Sequence, residues 1–461
     1  MLAACGFHTY SAKPISPAQS AASYRSHDPN SEAFRAYLIA QGYQTDQLPI
    51  KQWGTRELTL CSLFFHPDLD VARAQWRSAQ AEEITAGQRP DLGVSGRLEN
   101  HSDTSGGRPP WTYGLAIDIP IATANKSQAK KDRASSLSEA ARLEIAQTAW
   151  QVRSRLLASL SDYYASLQQA QILQQELNLR NEIVAILDAR LDAGLISNVE
   201  ASNARLLRQK TRLLLDAENG RLPELSSVIA NNAGLSAAVF KQLDLANPVK
   251  PSALPTISSE QAQEDALLNR LDIRAALARY AAAEAKLHLE IARQYPDITL
   301  SPGFSYDQGD RLWSLGISTL LTLINKNKGL IEESKALREV EAAQFEALQA
   351  KVIGDLEQAR ARYQAAMDDL DKARQLQINQ QASLKEAGKQ FDVGYADRLD
   401  LTTAKLENLL AEQSVLNTEL KLQRAVSALE NIMQRPLDGN LAMPSNIEQA
   451  VRAKEQAPER P

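Results

Sequence analysis

The sequence is poor in the residues that cross-link chains or assemble reactive sites. Among 461 residues there are only two cysteines, Cys5 and Cys61, so no disulfide framework is implied. Aromatic residues make up 5% of the chain, and the four methionines (Met1, Met367, Met433, Met443) form no cluster suited to soft metals. The five histidines (His8, His27, His66, His101, His288) show no metal-ligand spacing. No phosphate-cradling glycine loop or nucleophile motif occurs, so the residues suggest neither an enzyme nor a cofactor protein. A net charge of −5 without a basic cluster gives no electrostatic footprint for nucleic acid. No run of 18 apolar residues exists, which excludes a transmembrane helix. A membrane β-barrel stays open, because its strands are short and alternate.

Proline and glycine are missing from one long stretch, Ser127 to Ala193, which is rich in alanine, leucine, glutamine, glutamate and arginine. These residues lose least on entering a helix. A helix of that length spans roughly 100 Å at about 1.5 Å per residue and needs neighbours along its whole extent. Gly194 supplies its C-cap, and Ser197 or Asn198 caps a returning helix from Val199 to about Asp216. Asn219-Gly220 and Pro223 are expected to interrupt the return arm, which resumes at Glu224. A second rod runs from Gly329 to Val393. In it Val352, Ala359, Ala366 and Ala373 step by seven with Leu356, Tyr363 and Leu370 between them, a coiled-coil seam.

Before each rod the period changes. From Trp111 to Ile121 the odd positions read Trp, Tyr, Leu, Ile, Ile, Ile and the even ones Thr, Gly, Ala, Asp, Pro. A period of two over such a length matches a tilted membrane strand, and it also matches a hairpin packed on a soluble core. Asp91 to Asn100 alternates more loosely, and His101 to Pro110 is a polar, Gly/Pro-containing tip. Ile298 to Tyr306, a Gln308-Gly309-Asp310 turn and Leu312 to Ile324 repeat this hairpin, with Trp313, Leu315 and Ile317 standing where Trp111, Tyr113 and Leu115 stood. Asn327-Lys328 likewise repeats Asn125-Lys126. Helix, strand hairpin and long helical hairpin thus occur twice in the same order, an internal tandem repeat.

The chain accordingly divides into an arm (1–65), a first repeat (66–243), a linker (244–259), a second repeat (260–440) and a disordered tail (441–461). In the first repeat the strand hairpin covers about 91–121 and the helical hairpin about 127–233; in the second they cover about 297–324 and 329–434. The arm, with Pro14, Pro17, Pro29 and Pro49 between short helical pieces, reads as a segment wrapped around something else. From His66-Pro67 to Gln88 a helix presents Leu69, Ala72, Trp76 and Ala79 on one face. Cys61 reads as a small buried apolar residue.

With these elements in place, the chain resembles the TolC family of bacterial outer-membrane efflux proteins. The resemblance is carried by Arg89-Pro90-Asp91-Leu92 and Tyr295-Pro296-Asp297-Ile298, each opening a strand hairpin. It is carried as well by the rod tips Ala189-Arg190-Leu191-Asp192-Ala193-Gly194 and Phe391-Asp392-Val393-Gly394-Tyr395-Ala396-Asp397-Arg398-Leu399-Asp400. Leu2-Ala3-Ala4-Cys5 resembles a lipobox, and with the arm it is similar to the lipoprotein branch, making Cys5 the lipidation candidate.

The resemblance implies a mostly α protein with a membrane β-barrel: a homotrimer whose twelve-stranded barrel sits in outer-membrane lipid over an α-helical periplasmic tunnel. It implies a passive efflux channel partnered by a periplasmic adaptor and an inner-membrane transporter. The family narrows at acidic rings near the rod tips. The first ring position falls on Asp400 and the second on Thr403, a departure from the family, with Asp397 and Glu200 as further candidates. Asp397 and Asp400 equally suit a helix N-terminus, where the dipole favours carboxylates. Gly194, Gly394 and Asn198 mark the tips that would dock on the adaptor. The competing reading is a periplasmic adaptor or coiled-coil scaffold, but adaptors normally carry one helical hairpin rather than two, each with its own strand pair.

Overall fold

The computed structural model describes residues 9–103, 105–246, 270–320 and 325–437. Cys5, most of the 244–259 linker, the end of the second strand hairpin and the 441–461 tail lie outside them. The chain forms two compact units that cut across the tandem repeat. One comprises the described parts of Met1–Leu69, Thr148–Ile257 and Leu356–Pro461; the other those of Asp70–Gln147 and Ser258–Asp355.

The first unit is helical. Its long elements belong to α5 (Lys126–Asp192), α6 (Asn198–Asn232), α9 (Lys328–Asp392) and α10 (Arg398–Met433). Two hairpins result. Arg205 pairs with Asp188 and Thr211 with Glu176, so α6 runs back along α5. Lys421 pairs with Asp369 and Arg374 with Glu419, so α10 runs back along α9. Leu356, Ala359, Ala366, Leu370 and Ala373 are buried, as the heptad spacing of α9 requires. Alanine on this seam lets helix axes approach closely, and leucine fills the intervening holes. α6 does not break at Pro223 but continues through it. A proline removes one ladder hydrogen bond at a cost of about 3 kcal/mol, which the burial of Leu215, Leu225 and Ile229 on the flanking turns offsets.

The N-terminal arm belongs to this unit. It contains α1 (Pro17–Arg25), α2 (Glu32–Ala40) and α3 (Thr55–Phe65), with α4 (Pro67–Gly87) beginning just after. What the arm wraps is the chain itself. Phe34, Tyr37, Leu38, Trp53, Leu58, Phe64 and Phe65 share one core with Leu156 and Leu160 of α5, Ile229 of α6 and Phe240 of α7 (Ala237–Phe240). Burying an aromatic or large aliphatic side chain contributes about 1.5–3 kcal/mol, so this core anchors the arm. Tyr24 donates to the Leu235 carbonyl at 2.9 Å, and His27 Nδ1 lies 2.8 Å from the Gly234 carbonyl oxygen. Cys61 is fully buried here, where desolvation pushes its thiol well above the ordinary value.

The second unit holds one four-stranded antiparallel sheet whose spatial order follows chain order. Its strands are β1 (Gly93–Asn100), β2 (Trp111–Ile121), β3 (Ile298–Asp307) and β4 (Asp310–Thr319), joined by α8 (Leu271–Ala292) and parts of α4, α5 and α9. β3 and β4 meet in a two-residue turn, with Gln308 at φ 46° and Gly309 at φ 110°, the twist that a tight hairpin needs. β2 of the first repeat pairs with β3 of the second, so the two repeats share one sheet.

Candidate functional site

Among the described residues, each unit carries a candidate functional surface. In the sheet, the register Tyr113↔Tyr306, Leu115↔Phe304 and Phe304↔Trp313 places these side chains on one face with Val94, Leu98, Ile117 and Ile317. Tyr113 stacks on Tyr306 at 5.1 Å between ring centroids, and Phe304 meets Trp313 at 5.0 Å. This face is open: Val94 is 71% exposed, Leu98 70%, Leu115 58%, Ile117 43%, Trp313 84% and Ile317 69%. The opposite face is polar or small, with Ser95, Arg97, Glu99, Thr112, Gly114, Asp118, Ser301, Ser305 and Asp307. There Thr112 donates to Asp307 and Ser301 to Asp118. A continuous aliphatic and aromatic carpet on one face, backed by polar side chains, suits lipid outside and water inside. Both β1 and β4 are edge strands, and open edges are not tolerated in lipid.

In the helical unit, the tips are two variants of one design. α5 ends with Gly194 at φ 71°, where Leu195 N–H reaches the Arg190 carbonyl at 2.8 Å, and Ser197 caps α6 by accepting from Glu200 N–H. α9 ends with Gly394 at φ 82°, where Tyr395 N–H reaches the Gln390 carbonyl at 2.8 Å. Both are glycine C-caps in the left-handed region. At the second tip Asp397 caps α10 by accepting from Leu399 and Asp400 N–H, while the Asp400 carboxylate accepts from Asp397 N–H at 2.9 Å. This is a capping box, so Asp400 and Asp397 both serve the helix start.

Asp397 does more than cap. Arg190 of α5 pairs with its carboxylate, and Arg398 pairs with Glu182 of α5 at 2.7 Å, so two ion pairs tie the second tip to the first hairpin. The Asp400 N–H bond, then Arg190 and the Leu399 N–H, hold the Asp397 carboxyl below its ordinary value. Glu200 and Thr403 line one groove together with Arg180, Leu187, Leu207 and Leu399. Asn198 stands at the start of α6, its side-chain Oδ1 accepting from the Ser202 hydroxyl at 3.4 Å. At the tips themselves, Leu195 (73%), Val199 (69%), Val393 (68%) and Tyr395 (89%) are exposed apolar residues. Arg190, Arg398 and Glu182 escaped the sequence reading as site residues. Arg190 and Arg398 lie inside the tip motifs, but only the folded chain shows which carboxylates they meet. Among the described residues, no group of three or more His, Cys, Asp or Glu is placed to hold a metal ion.

One sheet shared by the two repeats, apolar on one face and open at both edges, together with a long helical hairpin in each repeat, marks a membrane duct subunit of the outer-membrane type. The match to known proteins is direct. The chain belongs to the outer membrane efflux protein family, whose model matches it twice, over residues 63–223 and 262–434. The two matches fall on the two repeats. Family membership places the chain in the outer membrane with a large periplasmic portion.

Among curated relatives, it is 23% identical over 239 residues to the cobalt-zinc-cadmium resistance protein CzcC of Cupriavidus metallidurans, covering 51% of this chain and 56% of that one. It is 26% identical over 192 residues to the toluene efflux pump outer membrane protein TtgF of Pseudomonas putida, covering 38% and 40%. The chain thus spans about half the length of the curated relatives it matches. Among solved structures, the outer membrane protein VceC of Vibrio cholerae aligns with a TM-score of 0.66 at 20% identity, covering 82% of this chain and 95% of that one. The CmeC outer membrane channel of Campylobacter jejuni aligns with a TM-score of 0.66 at 15% identity, covering 87% and 89%. The fold is that of these channels, and the neighbours are channel proteins rather than enzymes.

Proposed function

We propose that three copies of this chain form a passive outer-membrane conduit, which receives cargo from a periplasmic adaptor and an inner-membrane pump and releases it outside. The observation that carries this reading is the four-stranded sheet with one exposed apolar face and two unpaired edges. Four strands cannot close on themselves, whereas twelve from three copies form a barrel with no edge left in lipid. The exposed apolar tips around Gly194, Asn198 and Gly394 are the surface offered to the adaptor. The ion pairs Arg190–Asp397 and Arg398–Glu182 hold the tips at rest, and Asp400, Asp397, Thr403 and Glu200 form the polar surroundings of the constriction. Cys5 is the proposed lipid anchor, and the repeat boundaries at 66–243 and 260–440 delimit the two structural halves. CzcC is named for cobalt, zinc and cadmium and TtgF for toluene, so relatives of similar identity serve unlike cargo. Cargo choice is accordingly assigned to the pump rather than to this chain.

The test is single-channel current of the purified protein in a planar lipid bilayer, with native mass measured first. A trimer that inserts and passes small cation-preferring steps, enlarged in Asp400→Ala, is the expected result. A monomer or dimer that never inserts overturns the reading. Insertion with an unchanged Asp400→Ala current removes Asp400 from the constriction.

A further inference from the structure

The seam between the two repeats ends in a clamp. Just past the last β2–β3 pair, Ile121↔Ile298, the chain turns through Ala124 (φ 53°) and Asn125 (φ 57°) into Lys126. The Lys126 side chain is 8% exposed, and its ammonium donates to the Tyr295 carbonyl at 2.5 Å and to Asp297 Oδ1 at 2.6 Å. Thr123 completes the grip, its N–H bonding Asp297 Oδ1 at 3.0 Å and its hydroxyl the Pro296 carbonyl at 2.7 Å. The end of repeat one thereby holds the Tyr-Pro-Asp that opens repeat two. A buried ammonium is tolerated only when its donors are satisfied in this way.

The same parts occur at the end of repeat two. Lys326 (φ 44°) and Asn327 (φ 55°) take the left-handed pair of conformations. Lys328 N–H bonds the Asn325 carbonyl at 3.0 Å, as Lys126 N–H bonds that of Thr123 at 3.2 Å. Asn325 stands where Thr123 stood and brings a side-chain donor of its own. The matching receptor, Arg89-Pro90-Asp91, opens repeat one. Within the chain these halves stay apart. Lys328 and Asp91 are both exposed, and neither side chain has a hydrogen-bond or ion-pair partner among the described residues. They flank the two free sheet edges, Lys328 following β4 and Asp91 preceding β1.

We propose that Lys328 of one copy grips Asp91 and the Arg89 carbonyl of the next, repeating between copies the clamp that Lys126 and Asp297 make within one. The occupant of the free edge is a second copy of this chain, because its β1 edge carries the receptor that the Lys328 side lacks. Residue parity agrees: the apolar positions of β4 are odd and those of β1 even, as they are odd in β2 and even in β3 across the existing seam. The clamp sets the height at which neighbouring copies engage, at the junction of barrel and helices. Asn325 adds a bond to the Pro90 carbonyl in the role of the Thr123 hydroxyl.

This inference rests on the trimer reading, and the test separates the two. Asp91→Cys/Lys328→Cys is treated in native membranes with a short bis-thiol-reactive spacer, since a lysine–carboxylate pair sits further apart than a disulfide spans. Of the two native cysteines, Cys61 is buried and stays silent, and any reaction at Cys5 shows equally in the single variants. Covalent trimers in the double variant and none in either single one are expected. Asp91→Lys and Lys328→Asp should each lower the temperature at which the trimer dissociates in detergent, and the exchanged pair Asp91→Lys/Lys328→Asp should restore it. A protein of trimeric native mass that neither cross-links nor recovers on exchange overturns the clamp and leaves the trimer standing. A protein that never trimerises overturns both.

Discussion

At the residue scale, the glycines that turn the chain differ in what surrounds them. Gly194 and Gly394 adopt positive φ in open space, so a side chain there meets only the left-handed backbone cost of about 1–2 kcal/mol. Gly234 has φ 73° as well, but a Cβ there would lie 2.7 Å from the Phe65 carbonyl carbon and 2.8 Å from His66 N. Both obstacles are backbone, fixed by the aromatic core around Phe34 and Phe65, and cannot swing aside. Gly234→Ala is therefore expected to cost about 1–3 kcal/mol more than Gly194→Ala, the range typical of overpacking. Thermal unfolding followed by helical circular dichroism reads the difference, and equal melting temperatures would show that the arm yields. Of this the sequence displayed only the tip glycines, because a C-cap is a local signal. The close approach of residues 65 and 234 is a property of two distant segments, and nothing local to Gly234 announces it.

At the element scale, the sheet was the most legible part of the chain. β2 spans Trp111–Ile121, the stretch that its alternation marks, because a period of two is strict when each face meets a different solvent. β1 alternates weakly in sequence, since Gly96 leaves a gap in the apolar row between Val94 and Leu98, and its register is set by β2. α6 runs on through Pro223 against the sequence expectation, because packing on the flanking turns outweighs local propensity. The two faces of the sheet supply a direct test on adjacent residues near its middle. Val94 pairs with Ile117 on the apolar face and Ser95 with Ala116 on the polar one. A lysine on the lipid side of a barrel costs about 2–4 kcal/mol at the midplane, and one on the lumen side costs little. Val94→Lys is expected to deplete the protein from the outer-membrane fraction, with Ser95→Lys retained at the level of the parent. Equal depletion of both would mean that the apolar face does not meet lipid.

At the scale of the whole molecule, the proposed function turns on how firmly the two hairpin tips are held, and that was the least legible property. The sequence offered tip carboxylates as constricting groups, yet Asp400 is occupied with the N–H of Asp397, and Asp397 is occupied with Arg190. Ion pairs between hairpins depend on the relative rotation of helices far apart in the chain, which no spacing rule encodes. Each pair is partly exposed and worth up to about 1 kcal/mol, so in the proposed trimer a lock made of two such pairs per copy would be strong collectively and weak singly. Arg190→Ala/Arg398→Ala is accordingly expected to enlarge the resting single-channel current more than either single change, with helical content unaltered. Acid acts on the same lock. The Asp397 carboxyl is held below its ordinary value in the folded state, so its contribution is fully present above the unfolded value of about 4 and is lost as pH falls through the folded one. The parent channel is expected to open further as the periplasmic side is taken below about pH 4, while the Arg190→Ala/Arg398→Ala channel, already released, changes less over the same interval. A double variant with the parent's resting current would mean that these ion pairs do not hold the tips, and the constriction would then have to lie elsewhere along α6 and α10.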